Sequence, residues 1–221
     1  MKRLTIFASF LLTLVVPYIL LMFGIRALFT PVFLQFEYNR PGFPPDVYGF
    51  TTADRLKYGG ISLDYLFKSS DPQFLAGVNL SDGTPLYNER ELSHMRDVKI
   101  LLQKTLTLLW VFLSLAALFL LWAWRGKWLV NYCQALARGG WLTIGLIAAI
   151  LLGVGISFDW LFTQFHHLFF TGDSWLFQWS DSLIRLFPLP LWQDGFIGVG
   201  ILAVILSILL IWLGRRATRR S

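Results

Sequence analysis

The sequence predicts an all-α membrane protein with four transmembrane helices and a partly helical, interfacial cap on the extracytoplasmic side. Three observations support this fold class. The 221-residue chain is 56% apolar and 17% aromatic, with a mean hydropathy of +0.59, more apolar than ordinary soluble domains. Four apolar runs are long enough to cross about 30 Å of hydrocarbon, which takes about 20 helical residues. On one side, the segments that flank these runs contain basic residues and no acidic residue, as in membrane proteins with cytoplasmic loops.

The four runs predict a single integral membrane domain over residues 1–221. They lie at about residues 4–23, 100–124, 141–162 and 195–213. The first run follows Lys2 and Arg3, as a secretory signal would. However, its apolar stretch is too long for a signal peptide, and no small-x-small cleavage site follows before Phe29. We therefore expect a retained anchor.

The distribution of charge predicts the orientation of the runs. Nine basic residues and no acidic residue lie in the terminal segments and in the loop between the second and third runs: Lys2, Arg3, Arg125, Lys127, Arg138, Arg215, Arg216, Arg219 and Arg220. Because positive residues concentrate in cytoplasmic segments, we expect both termini to be cytoplasmic. The net charge of +6 thus indicates topology and contact with anionic lipid, and not a nucleic-acid partner.

Two long segments, at about residues 30–99 and 163–194, are predicted to form the outer cap. In the first, Thr52–Lys57 indicates a short capped helix, which Gly59-Gly60 is expected to end. The second segment is too polar to span a membrane and too aromatic for a free loop. We expect it to fold back, with Ser180-Asp181 starting a short helix before Pro188.

A capping pattern predicts where the second membrane helix begins. Asn88 is followed three residues later by Glu91, a variant of the capping box that starts a helix. The helix should continue through His94 and Asp97 into the apolar run. Glu91, His94 and Asp97 are spaced i, i+3 and i+6, so they share one face. We expect a carboxylate beside His94 to fix its tautomer and raise its basicity.

Two of the three histidines are candidate catalytic residues. His94 and His166 lie 72 residues apart at the outer ends of the second and third runs, so the topology places both on the same side of the membrane. Groups that titrate near neutrality suit proton transfer, although packing histidines are about as common. His167 points elsewhere on a helix and is expected to be structural. The single cysteine, Cys133, falls in the inner loop, where we expect it to pack.

Two other classes of function remain open on the residues alone. One is a metal-dependent membrane hydrolase, in which His94, Asp97, His166 and His167 would gather a metal ion; the spacing signal is weak, and we predict no metal site and no cofactor. The other is a non-catalytic assembly or transport partner. Few polar residues lie within the apolar runs, which argues against transport.

Two stretches resemble a known family. They are YNERELSHMRDVK at Tyr87–Lys99, and Phe165-His166 followed by an aromatic pair and the Asp-Ser-Trp of Asp173 to Trp175. Both are similar to the bacterial lipoprotein intramolecular transacylases, which are four-span membrane proteins. The resemblance implies transfer of the sn-2 acyl chain of a diacylglyceryl-cysteine lipoprotein to its own α-amino group, giving a lyso-form lipoprotein.

The resemblance also implies partners and a location. The partners are diacylated bacterial lipoproteins and membrane lipid, and neither a cofactor nor an external acyl donor is required. The protein is expected in the bacterial cytoplasmic membrane, with its active site at the outer face.

Roles for individual residues follow as hypotheses. His94, oriented by Glu91 or Asp97, is the predicted general base, and His166 would polarise the ester carbonyl or protonate the departing glyceryl oxygen. Lys99 is a candidate oxyanion donor. A covalent acyl-imidazole on either histidine is a further route.

Three residues of the second stretch complete the predicted site. Asp173 is expected to support the histidines, and Phe165 and Trp175 are expected to contact the substrate.

Overall fold

The computed structural model describes residues 2–68, 71 and 73–219, so Arg220 of the basic cluster lies outside the described residues. The described chain forms seven α-helices: α1 (Lys2–Leu28), α2 (Pro31–Asn39), α3 (Thr52–Phe67), α4 (Glu89–Arg125), α5 (Leu129–Phe169), α6 (Ser182–Leu186) and α7 (Leu189–Arg219). A 3₁₀ turn covers Phe74–Gly77. Within these residues the extended pairing is limited to an isolated bridge between Asn79 and Pro85. The all-α prediction is confirmed.

Four helices are long and apolar enough to cross a membrane: α1, α4, α5 and α7. This confirms the four predicted spans. Helix α4 contains 37 residues, or about 55 Å at 1.5 Å per residue. Helix α5 contains 41 residues and is kinked at Ser157, where the backbone leaves helical geometry. Both exceed the hydrocarbon thickness of about 30 Å. Their extra turns carry the predicted site residues.

The capping box predicted for α4 is present. The Glu91 amide donates to the Asn88 side chain (3.0 Å), and the Asn88 amide donates to the Glu91 carboxylate (2.8 Å). Helix α6 lies where the sequence places it, with Asp181 at its N-cap. The two reciprocal bonds fix the first turn of α4. His94 follows Glu91 by three residues, so it lies directly after this turn.

Helix α3 differs from its prediction. It begins at a capping box between Thr51 and Asp54, but it continues through Gly59-Gly60 to Phe67. A Cβ atom on Gly59 would lie 3.1 Å from Leu34 of α2. The glycine therefore marks a close approach of two helices and not a helix end, because tertiary packing outweighs its weak intrinsic helix propensity.

The chain divides into two compact units. The described residues of the first unit fall within 1–27, 105–156 and 196–221, and those of the second fall within 28–104 and 157–195. In the first unit, small residues bring helices into close contact. A Cβ atom on Gly139 would lie 2.5 Å from that of Val16, and one on Gly140 would lie 2.9 Å from the Ser207 carbonyl oxygen. Such residues allow backbones to pack closely in membranes.

The second unit has a core built from both of the predicted outer segments. Its fully buried side chains include Tyr65, Leu75, Leu86, Leu186 and Leu191. Buried polar groups join the same segments.

An arginine network completes this core. The Arg185 guanidinium lies 2.9 Å from the Asp46 carboxylate, and Arg55 donates to the carbonyl oxygens of Pro44 and Arg185. The charges are thus paired or bonded to backbone oxygens, as buried charges need to be. This unit positions both candidate histidines.

Candidate active site

The structure brings His94 and His166 together. Their ring centroids are 5.9 Å apart, with 25° between the ring planes. Only 6% of His94 and 8% of His166 is exposed. His94 lies near the start of α4 and His166 near the end of α5, so two consecutive helices supply one buried imidazole pair from residues that are 72 positions apart.

Aromatic rings surround the two imidazoles. Phe170 contacts both, with ring centroids 4.9 Å from His94 and 5.6 Å from His166. Phe177 lies 5.3 Å from His94, and Phe162 lies 4.2 Å from His166. These apolar neighbours explain the burial of both histidines.

Burial keeps the imidazoles neutral. Burial, together with a smaller effect of the neighbouring His166, lowers the pKa of His94 to about 4. Burial also lowers the pKa of His166, although a hydrogen bond to the Phe162 carbonyl opposes this shift. A low-dielectric environment disfavours the charged form of an imidazole. Both rings are therefore uncharged at neutral pH and able to accept a proton.

The hydrogen bonds of the two rings differ. The Nδ1 atom of His166 lies 2.7 Å from the Phe162 carbonyl oxygen. A carbonyl oxygen only accepts, so Nδ1 carries the proton, and in the neutral ring Nε2 carries the lone pair. The Nδ1 atom of His94 is buried and has no hydrogen-bond partner among the described residues.

The predicted pairing of His94 with a carboxylate is wrong. The Glu91 carboxylate, 1% exposed, accepts from the Leu183 amide (2.6 Å) and the Asn88 amide (2.8 Å). Burial raises the pKa of Glu91, although these amide bonds oppose the shift. The Glu91 carboxylate therefore connects α6 to α4 and is not bonded to His94. Asp97, the other candidate partner of His94, is exposed. Helical spacing identified the shared face but not the partners of each side chain.

Lys99 contacts an aromatic ring of α3. Its Nζ atom is 4.1 Å from the ring centroid of Tyr65 on α3, and the residue is 8% exposed. Five residues after His94, it lies about 140° around the helix. The role of Lys99 as an oxyanion donor stays a prediction.

The second predicted stretch gives mixed results. Phe165 is 39% exposed, and its ring lies 5.6 Å from His166. Asp173 is exposed, and its backbone carbonyl accepts from Leu176 in a turn. His167 is exposed, and its ring meets the Trp175 ring edge-on at 5.2 Å. The structure thus places Phe165 beside the imidazole pair and Asp173 on the surface.

Trp175 is the most informative member of this stretch. Its ring packs on His166, with centroids 4.8 Å apart and 31° between planes. It is 9% exposed, and its Nε1 atom is buried without a hydrogen-bond partner among the described residues, as is the Ser174 hydroxyl. Buried donors rarely stay unpaired in native proteins. Together with His94 Nδ1, they form a set of unpaired polar atoms around the site.

Three aromatic residues of the site were not predicted from the sequence. Phe162 and Phe170 lie four residues before and after His166, so helical spacing could have identified them as its neighbours. Phe177 could not be identified in this way, because it is distant from both histidines in helical spacing and contacts His94 only through tertiary packing.

A cleft of about 230 Å³ adjoins the imidazole pair. It is lined by Asp97, Ile100, Leu101, Lys104, Phe169, Phe170 and Thr171. Phe170 also contacts both imidazoles, so one ring separates the cleft from the histidines. Among the residues that the structure describes, no group of three or more His, Cys, Asp or Glu side chains is arranged to hold a metal ion.

Comparisons with known proteins agree with one another. A family model described as lipoprotein intramolecular transacylase Lit matches residues 10–192. An uncharacterised protein of Aquifex aeolicus (strain VF5) is 30% identical over 206 residues, which is 93% of this chain and 92% of that protein.

Solved structures show the same fold. The in meso structure of the membrane integral lipoprotein intramolecular transacylase Lit from Bacillus cereus superposes with a TM-score of 0.83 at 20% identity, covering 100% of this chain and 98% of that one. A variant of that protein with one histidine replaced by alanine gives a TM-score of 0.78 at 20% identity, covering 99% and 96% of the two chains.

Proposed function

The chain belongs to the lipoprotein intramolecular transacylase family, and from this membership we propose how its paired imidazoles move an acyl chain within one lipoprotein. The protein is a membrane acyltransferase with four apolar helices. Its proposed substrate is a lipoprotein whose amino-terminal cysteine carries an S-diacylglyceryl group. The sn-2 acyl chain moves from the glyceryl oxygen to the α-amino nitrogen of that cysteine.

The proposed reaction is an isomerisation. An N–C bond forms at the ester carbonyl, the C–O bond to the glyceryl group breaks, and the proton lost by the amine ends on the glyceryl oxygen. An amide is more stable than an ester, so the transfer needs neither ATP nor an external acyl donor. Because amine and ester belong to one molecule, holding them together gives a high effective concentration.

His166 is the proposed general base. Its Nδ1–H group donates to the Phe162 carbonyl, which leaves the lone pair on Nε2 and increases the basicity of that atom. A neutral Nε2 takes the proton of the attacking amine and then returns it to the departing oxygen. General acid–base catalysis of this kind typically contributes about 10²–10⁴-fold.

His94 and Trp175 are the proposed donors to the ester oxygen. A neutral His94 with its proton on Nδ1 presents an unpaired N–H group, and Trp175 presents a second through Nε1. Donors fixed in a water-poor site stabilise the negative oxygen of a tetrahedral intermediate. This division of roles reverses the one predicted from the sequence, since it is His166 whose Nδ1 is held by a hydrogen bond.

The observation that carries the proposal is the imidazole pair itself. Two neutral rings lie 5.9 Å apart, close enough for one ester and one amine to reach both. One ring offers a lone pair, and the other offers an unpaired buried nitrogen. A base and a donor are the two groups that an amine-to-ester transfer requires.

The proposed location follows from charge. The basic residues that flank the apolar helices support cytoplasmic termini in the bacterial cytoplasmic membrane. The imidazoles would then face the outer leaflet, where the amino termini of lipoproteins lie. A lipid-anchored substrate would reach the site along the membrane, which supports membrane lipid as a contact.

Mass spectrometry of a co-expressed lipoprotein tests the proposal. The amino-terminal peptide should become N-acylated and lose its sn-2 ester while its total acyl mass stays constant. Loss of one acyl mass would indicate hydrolysis, and a gain would indicate an external acyl donor; either result would contradict the proposal. An acyl group found on His166 would indicate the covalent route in place of direct transfer.

A further inference from the structure

The cleft beside the imidazole pair continues one face of α4. His94, Asp97, Leu101 and Lys104 are spaced i, i+3, i+7 and i+10, which is a single helical stripe. The last three line the cleft, and His94 lies one turn before them. Phe170 lines the cleft and contacts His94. A ligand in the cleft is therefore one aromatic ring away from the imidazoles.

The charges of the cleft are separated along this stripe. Asp97 lies three residues from His94, a rise of about 4.5 Å, whereas Lys104 lies about 10 Å beyond Asp97. These are the two charged residues among those that line the cleft. His94 and His166, which border the cleft across Phe170, are neutral because burial lowers the pKa of both. The end nearest the reaction site is thus anionic.

The apolar part of the cleft separates these charges. Ile100 and Leu101 line it from α4, and Phe169 lines it from the end of α5. A ligand that fits has a cationic group beside Asp97, at the end of the cleft nearer the imidazoles, and an apolar portion beyond it.

We propose that Asp97 binds the α-ammonium group of the substrate's amino-terminal cysteine, while its acyl portion lies against Ile100, Leu101 and Phe169. This inference rests on the proposed function for the identity of the substrate. Asp97 is a specificity residue that recognises a free amino terminus. A lipoprotein that is already N-acylated has no charge to offer it, so the product binds less tightly than the substrate.

The proposed contact acts on binding more than on turnover. A carboxylate favours the charged ammonium form and so lowers its tendency to lose a proton. The amine must become neutral before it attacks. Replacing Asp97 is therefore expected to raise KM, with a smaller effect on kcat.

Binding of two unreactive analogues tests the inference on the full-length protein in lipid nanodiscs. Both are S-glyceryl-cysteine peptides with an sn-2 ether in place of the ester; one has a free α-amino group, and the other is N-acetylated. The wild type should bind the free amine about tenfold more tightly at pH 6.5, the size of a charge-assisted hydrogen bond. Asp97→Asn should bind both equally, and Asp97→Glu should keep most of the preference.

The pH dependence separates a charge contact from a structural effect. The wild-type preference should decline as the pH rises through about 8, where an α-amino group loses its proton. Glu89→Gln is the matched control, because Glu89 is another exposed acid of α4 that does not line the cleft; it should retain the wild-type preference.

Two results would overturn the inference: an Asp97→Asn protein that still prefers the free amine, or a wild type with no preference. Turnover of the corresponding ester peptide is measured in parallel. A wild type that binds with the predicted preference but forms no amide would refute the proposed function and leave the inference standing.

Discussion

Replacing Glu91 by alanine tests whether this buried carboxylate holds the site together. The variant removes both acceptors of the bonds to the Leu183 and Asn88 amides. The Leu183 amide belongs to α6 and lies 92 residues away in sequence. We expect lower stability and, because the preceding segment carries Phe177 against His94, a looser imidazole pair.

The size of the effect follows from the two hydrogen bonds. An unsatisfied buried amide costs about 1–3 kcal/mol, and part of the loss is offset because a desolvated carboxylate is also removed. A net destabilisation of about 3 kcal/mol corresponds to a decrease in Tm of roughly 6–12 °C for a chain of this length. Because burial raises the pKa of Glu91 in the folded state, its contribution to stability is largest below its unfolded pKa of about 4.3 and declines as pH rises through the folded pKa.

Thermal unfolding in detergent, followed by acyl transfer to the ester peptide at 25 °C, measures both effects. Glu91→Gln keeps one acceptor oxygen and should lose less stability than Glu91→Ala. Glu89→Ala is the control, since Glu89 is exposed on the same helical turn. A Tm of Glu91→Ala within 2 °C of the wild type would show that the carboxylate does not anchor α6.

Three further predictions concern the imidazoles and their neighbours. His94→Ala and His166→Ala should each lower kcat by at least about 10²-fold, whereas the exposed His167→Ala should retain activity in the same peptide assay; a complete loss in His167→Ala would reverse the assignment. Trp175→Phe keeps a ring on His166 but removes the N–H donor, so kcat should fall by about 10²-fold with unchanged binding of the ether analogue, and an unchanged kcat would exclude Trp175 as a donor. Because burial lowers the pKa of both His94 and His166 below 6.5, the pH profile of kcat should show the titration of the substrate's α-amino group near about pH 8 and no second titration centred at or above pH 6.5; a second titration there would contradict the neutral pair.

Local sequence signals predicted the features that depend on local contacts. The apolar runs gave the spans, and the Asn88–Glu91 pattern gave the start of α4, because both follow from residues within one or two turns. The meeting of His94 and His166 was also predictable. Alternating spans place the two helix ends on one side, whatever the details of packing.

Long-range contacts explain the structural features that could not be predicted from the sequence. Glu91 shares a face with His94, yet its carboxylate is bound by the distant Leu183 amide. Asp97 shares the same face but lines a cleft. Gly59 continues a helix because Leu34 of α2 packs against it. In each case a residue many positions away decided between geometries that were equally compatible with the local pattern.

The aromatic residues around the imidazoles affect which nucleophile attacks the ester. An activated ester can be attacked by an amine or by water, and the same base would serve either nucleophile. Phe162, Phe170, Phe177 and Trp175 surround the two rings, which disfavours a pool of loosely held water at the reacting carbon. The α-amino group is covalently linked to the ester, so the exclusion of water does not hinder its attack. The same hydrophobic wall that keeps the histidines neutral would therefore suppress lipase chemistry and preserve the acyl chain for the neighbouring nitrogen.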